Sequence, residues 1–421
     1  MTRDDGDFDV VVVGASISGT TVATLLGRAG LRVALIEAAP NIDAFKRPCG
    51  HFVQSSATPT LQRLNVTDEI ERAGGVRNSV AIWSRRGWVH PQRANGNGNS
   101  HRPEHGYTIR REKLDPILRA RAAGTANVEL MLGTKATAVA DEPGAPVKLT
   151  VADRSGRERE LRGRLLVAAD GRNSAIGKLA GLPARDLLNR RFMYLAYFED
   201  TPGDFGQTGQ LWFNEPDMAY AYPTDDGLTL MACSVTKDQL PAFRRDRAAS
   251  FRRAFQRLPL APQPDPRKQV TPFIGKLDMT NKARTASRGR IAFVGDAALT
   301  PDPSWAVGCG WALRSGEWLA DAVAGPLLGS EPLEASLKRY RKEHRAELGP
   351  TFLAIASYSL VRPMLPSERL LLRGAARDPV LAETLHDFGS GNVPAWVLFS
   401  PRTLGRAACA SARGHGERVA A

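Results

Sequence analysis

Cysteine is scarce. Four occur in 421 residues, Cys49, Cys233, Cys309 and Cys409, and no two are close in sequence. That is too few and too dispersed for a disulfide framework, and no pair has metal-ligand spacing, so a reducing, cytoplasmic setting is expected. Long apolar runs are also missing. The longest candidate, residues 352–361, stops at Arg362, well short of the about 20 residues a membrane span needs. The N-terminus carries acids where an export signal needs bases and then an apolar stretch, so no export is expected. Charge of one sign is not clustered. Lys and Arg number 57 against 44 Asp and Glu, a net +13, yet the doublets Arg85-Arg86, Arg190-Arg191 and Arg244-Arg245 lie far apart. Nucleic-acid binding needs a basic patch or stripe; scattered bases fit a surface that attracts anionic small molecules, and no nucleic-acid partner is expected.

What is present is a globular composition, 43% hydrophobic and 24% charged, long enough for two interlocked domains. Near the start, Asp9 is followed by four valines and Gly14, a short β-branched run that reads as a strand buried on both faces of a parallel sheet. Gly14-Ala15-Ser16-Ile17-Ser18-Gly19 follows, then a helical pattern to Gly30 and a second strand over 31–36 ending at Glu37. A glycine turn opening a helix aims backbone N–H groups and the positive helix end at one point, where a pyrophosphate can sit. An acid about 20 residues on can take a ribose hydroxyl; Glu37 lies 23 residues after Gly14. Ser16 replaces the middle glycine of the usual pattern, and its hydroxyl can donate to phosphate in exchange for the space its Cβ takes.

Residues 95–100, rich in Asn and Gly, read as a loop between strand-like 80–89 and 107–110, and His90, His101 and His105 around it read as solvated rather than as metal ligands. A helix is predicted from Arg111 to about Gly124. Over 210–235 the pattern becomes strand, turn, strand, with aromatic and β-branched runs typical of an antiparallel sheet. A Pro-rich crossing over 259–272 precedes a return to a parallel-type strand at 290–295, and the chain from about 333 is mostly helical.

Two further segments carry the class. One is the strand 165–169 ending in Asp170-Gly171. The other is the strand 291–294 ending in Gly295-Asp296, continuing to Asp302-Pro303 and Gly308-Cys309-Gly310. Together with the first turn, in this order, they resemble the FAD-binding fold of the class A, aromatic hydroxylase-like flavoprotein monooxygenase superfamily, which also holds geranylgeranyl reductase-like enzymes and flavin halogenases. The resemblance implies an α/β, Rossmann-like FAD-binding domain of the GR2/PHBH-like type (1–78, 104–182, 283–332). An interleaved antiparallel-sheet substrate domain (79–103, 183–282) and a C-terminal helical region (333–421) complete it. It also implies that Gly14, Ser16 and Gly19 line the pyrophosphate, and that Glu37 takes the adenosine ribose. Asp170 would end its strand beside the cofactor. Asp296 would hold the ribitol, Pro303 and the backbone of Gly308 and Gly310 would face the flavin, and Arg111 and Arg47 would be phosphate-binding arginines.

Some positions depart from the hydroxylase pattern: Leu299 stands where those enzymes often have His, and Gly310 where they have Asn. The halogenase Trp-x-Trp-x-Ile-Pro motif is absent, which disfavours halogenation. No Ser/His/Asp order, no His-Glu-x-x-His and no close Cys pair is visible, so reactivity is expected from the cofactor, with no metal. As the resemblance implies, the protein is an FAD-dependent monooxygenase of secondary metabolism. NADH or NADPH, visiting transiently, reduces the flavin, and O2 then hydroxylates or epoxidises a small, largely apolar substrate. The alternative is a reductase of carbon–carbon double bonds. Trp212, Tyr220, Tyr222 and Trp305 are candidates for the substrate pocket and His51 for a proton shuttle, each against the simpler reading of core packing. Asp296→Ala should weaken FAD binding by about 1.5–3 kcal/mol in a flavin titration, the scale of a hydrogen bond to a charged group. Asp225, in the predicted sheet turn, is expected to be neutral in the same titration.

Overall fold

The computed structural model describes residues 6–47, 49–90 and 105–412; the 95–100 stretch and His101 lie outside them. The first strand, β1 (Asp7–Val13), lies between β2 (Val33–Glu37) and the strand Glu158–Ala168, parallel to both. Val10 and Val12 pack into one core while Val11 and Val13 pack into another, so the valine run is covered on both faces. Ile291–Phe293 extends the parallel order on one side and Val128–Leu132 on the other, within a sheet of eight strands.

Register decides where the motifs meet. Val13 pairs with both Ile36 and Ala168, and Ala168 pairs with Phe293. The residues that follow each of these, Gly14, Glu37, Asp170 and Asp296, therefore emerge along one carboxyl-end edge, where open parallel sheets bind ligands. The helix α1 (Ile17–Arg28) starts at that edge, and the helices Arg111–Ala123 and Gly308–Leu327 pack against it.

The second sheet has seven strands in the order Ile274–Lys276, Arg191–Phe198, Thr229–Thr236, Asp217–Pro223, Gly209–Asn214, Val80–Ser84, Gly87–Val89. It is antiparallel except at one seam. Val80–Ser84, arriving from the earlier part of the chain, runs parallel to Gly209–Asn214. Alternation sorts the side chains. Phe192, Ala196, Phe198 and Trp212 face the helices Leu240–Arg245 and Arg247–Phe255, with Phe243, Phe251 and Phe255. Met193, Leu195, Tyr197, Tyr220 and Tyr222 face the opposite way. From Leu333 the described residues are mostly helical. Leu333–Tyr358 locks onto the first sheet through Tyr340 Oη, which donates to the Phe293 carbonyl at 2.9 Å, and the last helix among the described residues is Pro401–Ala412. No helix among the described residues is long and apolar enough to cross a membrane.

Candidate functional site

A cavity of about 790 Å³ opens where the carboxyl edge of the parallel sheet meets the inner face of the second sheet. Gly14, Ser16, Glu37, Arg111, Asp170, Asp296, Pro303 and Gly308 all line it. Gly14 adopts φ +105°, and a Cβ there would strike the Ala169 carbonyl; a Cβ on Gly19 would strike the Gly14 carbonyl. Both glycines are sterically required for the strand to turn into α1 at this point. Ser16 is the N-cap residue but its hydroxyl makes no cap; it accepts from Arg111 Nη2 at 2.6 Å. Glu37 grips the same turn, accepting the Ala15 N–H and the Ala39 N–H, each at 2.9 Å. The first amides of α1 have no acceptor within the helix and remain available to an anion.

Arg111 is 3% exposed. It forks onto Asp115, Nε to Oδ1 at 2.7 Å and Nη2 to Oδ2 at 2.9 Å. Burial, the largest single influence, would lower its pKa, but the charges of Asp115, Cys49 and Cys309 with the Asp115 hydrogen bond together outweigh it and the net shift is upward. Arg119, one helical step further along the same face, donates Nε to the Ala15 carbonyl at 3.0 Å and Nη1 to the Ala44 carbonyl at 2.8 Å. The helix thus presents Arg111, Asp115 and Arg119 at successive i, i+4 positions, holding the glycine turn and the 41–46 segment together. Their spacing was visible in the sequence; the face they would share with the turn was not.

His51 sits in the left-handed region at φ +55° and accepts the Arg111 backbone N–H on Nδ1 at 2.8 Å. Burial lowers its pKa, so the ring is neutral with its proton on Nε2. Its observed role is to hold the start of the Arg111 helix.

Asp170 caps the turn after its strand, Oδ2 accepting the Ile176 N–H at 2.9 Å. Its other oxygen, Oδ1, is buried without a partner, and burial raises the carboxyl's pKa. Asp296 pairs with Lys46 at 2.7 Å, an ion pair that also raises the Lys46 pKa. No local pattern marks Lys46, because 250 residues separate it from its partner. Arg47 is exposed and is not among the cavity-lining residues. Gly310 lies one step behind the wall, close to Gln54.

The far wall is apolar, built by Phe52, Met193, Leu195, Ile274 and Ala306. Tyr220 and Tyr222 stack on each other behind it, and Tyr220 Oη lies 3.1 Å from Met193 Sδ. Trp212 belongs to the opposite sheet face and donates Nε1 to the Pro259 carbonyl at 3.0 Å. Trp305 turns away from the cavity to pack between Phe213 and Tyr358, and Ala306 lines the wall in its place. His90 packs on Trp88 and Phe205, and His105 on Tyr107.

Asp225 lies in the predicted turn with its carboxylate buried, where it accepts the Arg110 backbone N–H at 2.7 Å and Arg110 Nε at 2.8 Å and so anchors the start of the Arg111 helix. One expectation needs correction. The cysteines do include a close pair, since Cys49 Sγ and Cys309 Sγ lie 3.7 Å apart although 260 residues separate them.

The donor set fits FAD. A glycine turn with free helix amides accepts a pyrophosphate, and the orphaned Asp170 Oδ1 lacks the donor that a bound ligand or a proton would supply.

Comparison with known proteins gives the same direction. The sequence profile of the FAD binding domain matches residues 7–348. Aklavinone 12-hydroxylase RdmE of Streptomyces purpurascens is 26% identical over 351 residues, covering 77% of this chain and 64% of the hydroxylase. Digeranylgeranylglycerophospholipid reductase of Methanocella arvoryzae is 25% identical over 360 residues, 82% of this chain and 84% of the reductase. The match to a 1H-pyrrole-2-carbonyl-[peptidyl-carrier protein] chlorinase of Pseudomonas fluorescens spans only 46% of that relative, at 26% identity over 47% of this chain. Among solved structures, p-nitrophenol 4-monooxygenase PnpA of Pseudomonas putida superposes with a TM-score of 0.75 at 20% identity, over 92% of this chain and 98% of PnpA, which supports the fold. With the profile spanning most of the chain, this protein belongs to the FAD-binding domain family of flavoproteins.

Proposed function

We propose that the chain is an FAD-dependent monooxygenase that uses NADH or NADPH and O2 to hydroxylate or epoxidise a small, largely apolar molecule. One observation carries the reading: a single continuous cavity joins the phosphate-type turn at Gly14 to the apolar wall of Phe52, Met193, Leu195 and Ile274. In this reading the α1 amides and Gly14, Ser16 and Gly19 receive the pyrophosphate, with Arg111 as its cationic neighbour. Glu37 receives the ribose and Asp296 the ribitol, each carboxylate keeping lone pairs beyond the bonds it already makes. Asp170, Pro303, Gly308 and Gly310 flank the ring system. The substrate unit, 79–103 and 183–282, contributes Met193, Leu195 and Ile274 to the apolar wall, which with Phe52 and Ala306 excludes water from the reacting centre. FAD, reduced by nicotinamide, supplies the activation of O2 that no side chain here supplies.

A second reading, reduction of a carbon–carbon double bond, is supported by the reductase of Methanocella arvoryzae, which aligns along more of its length than the hydroxylase does. Anaerobic single turnover separates the two. The bound flavin is reduced, a panel that begins with aklavinone and p-nitrophenol is added without oxygen, and heavy-isotope dioxygen is then admitted. The monooxygenase reading expects no product before oxygen and one heavy oxygen atom in the product afterwards. Product formed before oxygen, two hydrogens heavier and without label, would replace it with the reductase.

A further inference from the structure

Cys49 and Cys309 stand out because the proposed chemistry does not use them. Both line the cavity, and their sulfurs are 3.7 Å apart. Their surroundings differ. Cys49 Sγ accepts the His51 backbone N–H at 3.4 Å and lies 3.8 Å from Arg111 Nη1. Cys309 is buried in the first turn of the helix Gly308–Leu327. The contact with Cys309 and the positive charges of Arg111 and Lys46 draw the Cys49 thiol well below its usual range, although burial opposes the shift. The same contact, with burial, holds Cys309 protonated. Two sulfurs 3.7 Å apart, one with a lowered pKa and the other a retained thiol, are the arrangement of an attacking and a resolving cysteine.

We propose that Cys49 and Cys309 are a redox modification site that closes reversibly to a disulfide, with hydrogen peroxide as the oxidant. The Cys49 thiolate attacks one peroxide oxygen, breaks the O–O bond and becomes a sulfenic acid as the other oxygen leaves as water after protonation. Cys309 then attacks the sulfenic sulfur and expels a second water. Two thiols and one peroxide become one disulfide and two waters. Closure from 3.7 Å to the about 2.05 Å of a disulfide requires a movement of about 1.7 Å. Cys49 can supply this movement, because residues 44–47 and 49–51 form neither helix nor strand, whereas Cys309 is fixed in its helix. The bond would tie that segment to the Gly308 helix across the cavity. The pairing itself does not depend on the function proposed above, and peroxide supplied from outside tests it independently of any substrate.

The remaining cysteines serve as internal controls: Cys233 is buried on the far sheet face, where burial pushes its thiol up, and Cys409 is exposed. The full chain as purified, with and without added FAD, is treated with one equivalent of peroxide, alkylated, digested and analysed by mass spectrometry. The expected result is a Cys49–Cys309 cross-linked peptide that has lost two hydrogens and is restored to two alkylatable thiols by dithiothreitol. Cys309→Ser should instead stop at a Cys49 sulfenic acid trapped by dimedone, and Cys49→Ser should give neither product. If either variant fails to fold, the wild-type peptide map still decides. The proposal is overturned if both thiols remain alkylatable after peroxide, or if Cys49 advances to sulfinic acid while Cys309 stays free.

Discussion

Arg111→Ala should lower the stability of the protein by about 3–5 kcal/mol, read as a fall in the urea midpoint at unchanged slope. The guanidinium is almost fully buried and both Asp115 oxygens depend on it. Removing it leaves a carboxylate in the interior without a counter-charge, and that uncompensated charge is the larger part of the cost. Arg111→Ala combined with Asp115→Ala should therefore be more stable than Arg111→Ala alone, since no charge is then stranded. Arg111→Lys should rescue poorly, because a single ammonium cannot reproduce the fork onto Asp115 and also reach Ser16. Both Arg111 variants should lose flavin affinity as well, since the glycine turn loses the residue that holds Ser16. A double variant no more stable than the single one would show that the pair is not the anchor described here.

Much of this was legible from sequence because it is local. The valine run, the Gly14 turn and the acid at Glu37 lie within one βαβ unit, and the two later strands end in recognisable turns, so their meeting at one sheet edge follows from parallel pairing. The helix start at Arg111 was likewise found to the residue. The misses share one cause. Lys46 with Asp296, Cys49 with Cys309, and Asp225 with Arg110 are contacts across 250, 260 and 115 residues, and no local pattern encodes them. The aromatic candidates failed differently. Strand alternation separates Trp212 from Tyr220 and Tyr222, yet it does not say which face meets the cavity; the helices over 240–255, bringing Phe243, Phe251 and Phe255, take the Trp212 face. Trp305 lies in the loop that reaches the cavity, but the left-handed turn at Ala306 presents the smaller residue to it.

Asp170→Asn should move stability and cofactor affinity in opposite directions. The carboxyl of Asp170 is pushed above its ordinary pKa, first because it is buried; the Ile176 N–H and Ser174 pull the other way and do not cancel the effect. A carboxyl raised in this way holds its proton in the folded protein to higher pH than in the unfolded chain. Its favourable contribution is therefore complete at acid pH and is lost as pH climbs through the raised value. Once ionised, the group is a burden on the apoprotein, carried by a buried oxygen with no donor. Asparagine keeps an acceptor for the Ile176 N–H and removes the charge, so the variant should be the more stable apoprotein, by about 1 kcal/mol at neutral pH, with its advantage shrinking toward acid. FAD should bind it more weakly, by about 10- to 150-fold if a flavin donor meets the carboxylate, the range of one charge-assisted hydrogen bond. Urea melts across pH and a flavin fluorescence titration measure the two quantities separately. A variant that is less stable and binds FAD as tightly as before would reduce Asp170 to a turn cap; the opposite pairing would mark it as a group kept for the cofactor at the fold's expense.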